Sequence, residues 1–298
     1  AEQLEAIYER VDRMIQDQYH CFLDEIEPAL ASERFERVYL ATASARHRDA
    51  ARRIFDEEIQ PIVSPIAINS SAPFPLLVNL GLYLCVRLVA SNSKVVAEST
   101  AAPLPIELGE ENAQAALPNI AIIPLGRAIP RVVTLPSDKG YAYALLEDVV
   151  AAFVQQFFPG RTIEECVAFR ITRNSDVSVR EDSADLLSGM QQVLHQRRTA
   201  DSVRLEIDEK ASDTMIEFLR HQMELEPRDV CLIPGPIDLS SFMSLTEIEG
   251  FAALRDTAWP AKPSPLIDPS KSLFETIAER DVLLCHPYES FEPVVRLV

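Results

Sequence analysis

The sequence is poor in glycine, in basic residues and in long apolar runs. Of its 298 residues, eight are glycine and 28 are lysine or arginine, against 46 aspartates and glutamates, which gives a formal net charge of −18. No GxGxxG or GxxxxGK[ST] string occurs, so the sequence lacks the phosphate loops of the common nucleotide-binding folds. Because phosphate contacts require basic groups, we predict no nucleic-acid partner. No apolar run is long enough for a transmembrane segment.

Cysteine is also scarce, and its five copies are scattered without CxxC spacing. Most of them lie in apolar runs, which is typical of reduced, buried thiols in a cytoplasmic protein and not of a disulfide framework or a zinc site. No secretory signal is visible at the N-terminus, and the chain is expected to be an excised or processed piece. The cysteines are Cys21, Cys85, Cys166, Cys231 and Cys285.

Helical periodicity dominates the first sixty residues. Apolar residues recur three and four apart over 3–31, which predicts one long amphipathic helix. A second helix is predicted over 44–60, with Ser44 as its N-cap and Pro61 as its stop. Further helices are predicted over 145–158, 183–196, 212–223, 239–245 and 274–280, and a last one is capped by Ser290 near the end of the chain.

Short apolar or alternating runs predict strands between these helices. Four prolines in 259–269 predict an extended connector. The order of elements indicates an α+β fold, in which a helical N-terminal segment precedes a mixed, largely antiparallel domain. The predicted strands are 80–89, 121–124, 130–135, 166–172, 202–207, 229–233 and 282–284.

Two clusters of polar residues invite a functional interpretation. Glu217, His221 and Glu224 have the helical spacing of metal ligands, which suggests a metal hydrolase, although a solvated helix face is favoured because no further ligand is visible. His47 lies among Arg46, Arg48, Arg52 and Arg53, which could hold an anion, although the acidic residues that follow favour a charge-laced helix surface.

No complete catalytic constellation is present, and we predict no catalytic residue and no metal site in this chain. The residues alone therefore favour a binding, scaffolding or assembly module.

Several short strings together resemble the polyphosphate kinases of the long, multi-domain, histidine-phosphorylating type. The resemblance runs in order along nearly the whole chain. The strings are Pro-Phe-Pro at 73–75, Leu-Glu-Asp at 146–148, Thr-Arg at 172–173, Val-Arg-Leu-Glu at 203–206 and His-Pro-Tyr-Glu-Ser-Phe at 286–291.

The resemblance implies a parent enzyme that transfers the terminal phosphate of ATP reversibly to polyphosphate, through a phosphohistidine and with Mg²⁺. It implies that 1–31 end a helical N-terminal domain, that 32–284 form a head domain and that 285–298 begin the first C-terminal catalytic domain. The phospholipase-D-like catalytic domains are absent. We therefore expect this chain to be inactive alone, to bind no ATP or Mg²⁺ by itself, and to act with the missing domains of the same polypeptide.

The resemblance also implies a homodimer formed through the head domain and a cytoplasmic location, with membrane association left open for the parent enzyme. Two features depart from the family pattern. The loop at 97–118 looks longer, and Cys285 stands where a second histidine is common. None of the five histidines matches the phosphorylated one.

Five residues within the chain are candidate phosphate or domain-junction contacts. Arg173 and Arg204 could touch phosphate, but salt bridges to nearby carboxylates are favoured. His286, Tyr288 and Glu289 could lie where the head meets a catalytic domain, but a role in fixing a strand-to-helix turn is favoured. The main alternative to an accessory region of a polyphosphate kinase is a freestanding acidic adaptor or dimerisation module.

Overall fold

The computed structural model describes residues 2–68, 73–89, 120–126, 128–174, 200–257 and 259–297. The chain divides into two compact units, Ala1–Ser241 and Phe242–Val298. The predicted helix at 183–196 and the loop at 97–118 lie outside the described residues. Within the described ranges, no helix is both long enough and apolar enough to cross a bilayer.

The N-terminal helical run is nearly continuous but is not one regular helix. It consists of α1 (Glu2–His20), a π-helical stretch (Cys21–Ile26) and α2 (Glu27–Ser32). The predicted apolar face is confirmed in part: Ile15 and Tyr19 pack with residues of a sheet edge and its following loop, whereas Leu4, Ile7, Met14 and Ile26 are exposed. The helical run therefore belongs to the core of the first unit.

The remaining helices follow the predicted positions. Ser44 is the N-cap that the sequence predicts, since its Oγ accepts a hydrogen bond from the His47 amide at 3.2 Å. The α-helices are α3 (Ala45–Ile54), α4 (Leu146–Phe153), α5 (Asp213–Gln222), α6 (Leu273–Glu279) and α7 (Glu292–Val295). A π-helical stretch (Phe55–Ile59) extends α3, and 3₁₀ segments occur at Val154–Phe157, Pro227–Asp229, Leu239–Glu247 and Ala252–Leu254.

The strands form two sheets. A three-stranded sheet has the order β1-β6-β5, and a six-stranded sheet has the order β2-β4-β3-β7-β8-β9, antiparallel throughout except for the β8–β9 pair. The mixed, largely antiparallel α+β architecture is therefore confirmed. The strands are β1 (Phe35–Arg37), β2 (Ile66–Ala67), β3 (Leu82–Leu88), β4 (Ile120–Pro124), β5 (Val132–Leu135), β6 (Tyr141–Leu145), β7 (Ile163–Arg173), β8 (Ser202–Asp208) and β9 (Val230–Ile233).

Alternate residues of the six-stranded sheet enter two different cores. Leu84 and Val86 of β3 join the core formed with the three-stranded sheet, α3 and α4. Tyr83 and Cys85 of the same strand join a second core, which α5 covers. Both faces of this sheet are therefore buried.

Two predictions about the chain are wrong. Residues 282–284 form no strand, and Leu283 is 83% exposed, because no described strand pairs with this apolar run. All five cysteines are free thiols, as predicted, but Cys21 and Cys285 are exposed. Burial is confirmed for Cys85 and Cys231, and burial raises the pKa of the half-buried Cys166 to about 12.

Gly140 occupies a position that no other residue can fill without strain. Its φ is +94°, and a Cβ atom added there would overlap the backbone oxygen of Arg34. Arg34 itself has a φ of +64°, and its oxygen accepts a hydrogen bond from the Tyr141 amide at 2.9 Å. This close approach places β1 beside β6.

Replacing Gly140 with alanine is expected to lower the free energy of unfolding by at least about 2 kcal/mol, because the Cβ adds a steric overlap to an unfavourable φ. Gly160 is the matched control, since its φ of +73° is similar but an added Cβ would meet nothing within 4 Å. Gly160→Ala should cost about 1 kcal/mol in urea unfolding. Equal losses for the two variants would contradict the close approach.

Candidate functional site

Arg204 belongs to a ladder of charges on one face of β7 and β8. Its Nη2 atom lies 3.1 Å from Glu206 Oε1, and the other oxygen of Glu206 accepts a hydrogen bond from Arg170 Nε at 2.5 Å. Arg170 Nη1 lies 3.1 Å from Asp238 Oδ1. Glu206 is only 7% exposed, so it is a buried carboxylate shared by two arginines. Arg204 thus forms the salt bridge that the sequence favours.

Arg131 forms a second part of the same charged cluster. Its Nη2 atom pairs with Glu147 Oε1 at 2.5 Å, and both side chains are largely buried. The guanidinium also donates to the backbone oxygens of Ile237 and Asp238 and to Ser241 Oγ. One side chain therefore joins β5 and the first turn of α4 to the segment 237–241.

The segment before Ser241 is held from the other side by α1. Tyr19 donates its hydroxyl hydrogen to the Pro236 oxygen at 2.6 Å, and burial raises the pKa of Tyr19 to about 12. Gly235 permits this approach, because an added Cβ would lie 2.9 Å from Tyr19 Cδ1. We call residues 235–241, together with Arg131 and Arg170, the clamp.

The carboxylate of Asp238 is the acidic centre of the clamp. Burial opposes its ionisation, but the hydrogen bond from Ser240 and the charges of Arg170 and Arg131 outweigh that effect. The pKa of Asp238 therefore lies below its ordinary value of 3.8. Asp238 is therefore ionised at neutral pH, and its negative charge attracts the positive charges of Arg131 and Arg170.

Arg173 lies on β7 but does not join this ladder. Its Nε donates to the Leu77 oxygen at 2.9 Å, and its Nη1 donates to the Ala200 oxygen at 2.6 Å. Among the described residues, no carboxylate lies within ion-pair distance of this guanidinium, and burial lowers its pKa. It lines a cavity of about 410 Å³ that also includes Phe74 and Met223.

His286, Tyr288 and Glu289 meet in one turn of the second unit. Glu289 Oε2 accepts from the Cys285 amide at 2.8 Å, and His286 Nδ1 lies 3.0 Å from the Glu289 oxygen. The His286 ring also meets the Phe291 ring edge to face, with centroids 5.0 Å apart. His286 and Glu289 therefore fix this turn, whereas the side chain of Tyr288 is mostly exposed.

The turn does not follow a strand, because 282–284 are irregular. Its backbone is paired instead with Lys262, whose amide donates to the Tyr288 oxygen at 2.8 Å and whose oxygen accepts from the Ser290 amide at 2.8 Å. Phe291 is the N-cap of α7, so the prediction of Ser290 as its cap is wrong by one residue, although Ser290 Oγ accepts a hydrogen bond from the Glu292 amide at 3.2 Å. The connector predicted at 259–269 thus pairs with this turn.

The metal-ligand interpretation of α5 fails on geometry. Glu217 is held by Arg220, with Oε2 2.6 Å from Nη2, and it lies 3.4 Å from His221 Nε2. Glu224 lies beyond the end of the helix with a φ of +56°, so the i, i+7 relation is lost. In the described parts of the chain, no three His, Cys, Asp or Glu side chains converge as metal ligands.

The clamp residues are the part that sequence reasoning missed. Arg170 and Glu206 each lie between two buried apolar residues of β7 and β8, and Arg131 directly precedes β5. A charged side chain in a strand that is buried on both faces requires a partner. That signal could have identified the ladder, although the sequence does not say which carboxylate pairs with which arginine.

Comparison with known proteins gives a consistent result. The family model described as the polyphosphate kinase middle domain matches residues 46–245. A polyphosphate kinase from Rhodopirellula baltica is 39% identical over 345 aligned positions, which cover 100% of this chain and 40% of that protein. One from Pseudomonas aeruginosa is 31% identical, covering 99% of this chain and 40% of that protein.

A solved structure shares the fold. The crystal structure of a polyphosphate kinase from Porphyromonas gingivalis superposes with a TM-score of 0.72 at 23% sequence identity, covering 99% of this chain and 40% of that one. The chain therefore spans about 40% of the length of the relatives it matches.

Replacing Arg131 with methionine is expected to lower the free energy of unfolding by about 3–5 kcal/mol, because Glu147 would remain buried without its counter-ion. The double variant Arg131→Met/Glu147→Leu should recover most of this loss, since no charge is then buried alone. Urea unfolding measures both. Arg46→Met is the control, because the Arg46–Asp138 pair is 54% and 84% exposed and should contribute under about 1 kcal/mol. A loss for Arg131→Met no larger than the control's would refute the buried pair.

We expect the free energy of unfolding at acid pH to depend on Asp238. A carboxyl whose folded pKa is depressed adds stability above its unfolded pKa, here 3.8, and that stability is lost as the pH falls through the lower folded pKa. The difference in unfolding free energy between the wild type and Asp238→Asn should therefore shrink below about pH 4. Urea midpoints from about pH 5 to about pH 2.5 test this. A difference independent of pH would exclude an ionised, arginine-paired Asp238.

Proposed function

Because the chain belongs to the polyphosphate kinase family, we propose that it is the accessory N-terminal and head region of such an enzyme. In this proposal 1–31 end the N-terminal domain, 32–284 form the head and 285–298 begin the first C-terminal domain. The parent enzyme transfers the terminal phosphate of ATP reversibly to polyphosphate through a phosphohistidine. We assign that activity to a longer polypeptide and regard this chain as inactive alone.

The clamp is the observation that supports a role in domain positioning. Arg131 ties 237–241, the last residues of the first unit, to β5 and α4 through charge-assisted bonds. Such bonds are directional, and removing one partner leaves a buried charge alone. The polypeptide therefore leaves the first unit from a fixed backbone position, and in this proposal that fixed exit helps to position the part of the enzyme that follows.

ATP and Mg²⁺ belong to the parent enzyme in this proposal. The two arginines that the sequence suggests as phosphate contacts are engaged internally, since Arg204 pairs with Glu206 and Arg173 donates to the Leu77 and Ala200 oxygens. Binding a nucleotide phosphate through them would break bonds inside the first unit. We therefore assign the binding of ATP and Mg²⁺ to the missing domains of the same polypeptide.

Assembly is the second part of the proposed role. We expect the head to form a homodimer and the parent enzyme to act in the cytoplasm. Sedimentation equilibrium of the isolated chain should then give about twice its 33.3 kDa mass.

The experiment that tests the accessory role is a phosphorylation assay. The purified 298-residue chain and the full polypeptide of its gene are incubated with γ-labelled ATP and Mg²⁺, and acid-labile phosphohistidine is measured. We expect label and polyphosphate from the full polypeptide and neither from this chain, because phosphoryl transfer needs charge clamps and a nucleophile that the accessory region does not supply.

Two outcomes would overturn the proposal. Stable phosphohistidine on the isolated chain would show that it is not merely accessory. A coding sequence that carries no further domain beyond the chain would favour the alternative, a freestanding acidic adaptor. As an internal check, Arg131→Met in the full polypeptide should lower polyphosphate synthesis, whereas the exposed control Arg46→Met should leave it close to wild type.

A further inference from the structure

Helix α3 carries the highest density of positive charge along this acidic chain. Four of the 28 basic residues, Arg46, Arg48, Arg52 and Arg53, fall within eight positions, and all four are exposed. Asp49 is the single acidic residue of the helix. The helix therefore presents a net charge of about +3 to solvent, apart from any effect of its neighbours.

The contacts of these arginines leave much of that charge unpaired. Arg46 pairs with Asp138, but Arg48 donates only to the Ala43 oxygen at 3.3 Å. The Arg52 guanidinium lies over the Phe153 ring, 5.0 Å from its centroid. Within the described residues, neither Arg48 nor Arg52 lies within ion-pair distance of a carboxylate. The sequence favoured a charge-laced surface, yet the expected pairing is incomplete at these two positions.

Helical spacing places Arg48 and Arg52 one above the other. Residues four apart in a helix have Cβ atoms about 6 Å apart on one face. Two adjacent guanidinium groups can donate to successive anionic groups of a linear polyanion, with the planar, bidentate geometry that arginine offers to phosphate. We call this pair the α3 ridge.

We propose that the α3 ridge is a docking site for linear inorganic polyphosphate, outside any catalytic centre. This inference rests on the proposed function, which makes polyphosphate the polymer that the parent enzyme handles. The ridge would hold a stretch of the chain by phosphate–guanidinium contacts and keep the polymer near the enzyme.

The net charge of −18 does not exclude such a site. Exposed charges are screened beyond a Debye length of about 8 Å at physiological ionic strength, so the adjacent arginines act on a bound phosphate more strongly than distant carboxylates do. Along the chain, the acidic residues nearest to the ridge are Asp49 within α3 and Asp56, Glu57 and Glu58 in the π-helical stretch that follows it, and Asp138 is occupied by Arg46.

The test is a binding titration with fluorescently end-labelled inorganic polyphosphate of defined length, followed by anisotropy. Arg48→Gln/Arg52→Gln in the 298-residue chain should weaken binding by about tenfold, because two charge-assisted contacts are lost. The salt dependence of the affinity should also become shallower, since fewer phosphates are neutralised. Arg48→Lys/Arg52→Lys keeps the charge but loses the bidentate donors, so its affinity should fall between those of the wild type and the glutamine variant.

The matched control is Arg13→Gln/Arg296→Gln, which removes the same charge from two other exposed sites. The inference is overturned if the wild-type chain does not bind polyphosphate, if the control pair weakens binding equally, or if single-stranded DNA of matched charge binds more tightly. The phosphohistidine assay does not involve the ridge. If the full polypeptide is active but the ridge does not bind polyphosphate, this inference is wrong and the proposed function is unaffected.

Discussion

Burial of both faces of the six-stranded sheet is the constraint on which the rest of the first unit depends. Neighbouring residues of β3 enter different cores, with Val86 on one side and Cys85 on the other. Each face must then be covered, and the chain does this with the smaller sheet, α3 and α4 on one side and α5 on the other. An ionisable side chain in these strands cannot remain charged without a partner. The ladder from Arg204 through Glu206 and Arg170 to Asp238 follows from that requirement.

Such buried ion pairs fix the relative positions of the elements that they join more than they raise the free energy of unfolding. Replacing a buried ion pair with apolar residues is often neutral, because the cost of removing two charges from water offsets their attraction. Removing one partner, however, lowers the free energy of unfolding, because the other charge then stays buried alone. The ladder and Arg131 therefore act as a register device, in which strands β5, β7 and β8 and the segment 237–241 satisfy one another only in one arrangement.

The sequence predicted local features well because their causes are local. The period of α1, the Ser44 cap and the alternation in β8 each depend on a few neighbouring residues. The clamp could not be predicted in the same way, since Arg131 and its acceptors at Asp238 and Ser241 are 107 and 110 positions apart.

The failures have equally physical reasons. The apolar run at 282–284 has strand composition but finds no strand partner in the described chain, and its backbone stays irregular. For Arg173, the sequence favours a carboxylate partner, but the partners seen among the described residues are backbone oxygens. Backbone carbonyl oxygens are also acceptors, and two of them lie within its reach.

The contacts described above show how this chain uses its few glycines and basic residues. Gly140 and Gly235 stand where backbone or an aromatic ring approaches too closely for a Cβ, and neither belongs to a phosphate loop. Many arginines are committed to internal partners, including Arg37 with Asp148 and Arg87 with Glu165 at 2.9 Å each. Arg48 and Arg52, both exposed on α3, have no such carboxylate partner among the described residues. Exposed arginines that lie close together attract a polyanion more strongly than the net charge of the 298 residues repels it, because salt screens the distant charges.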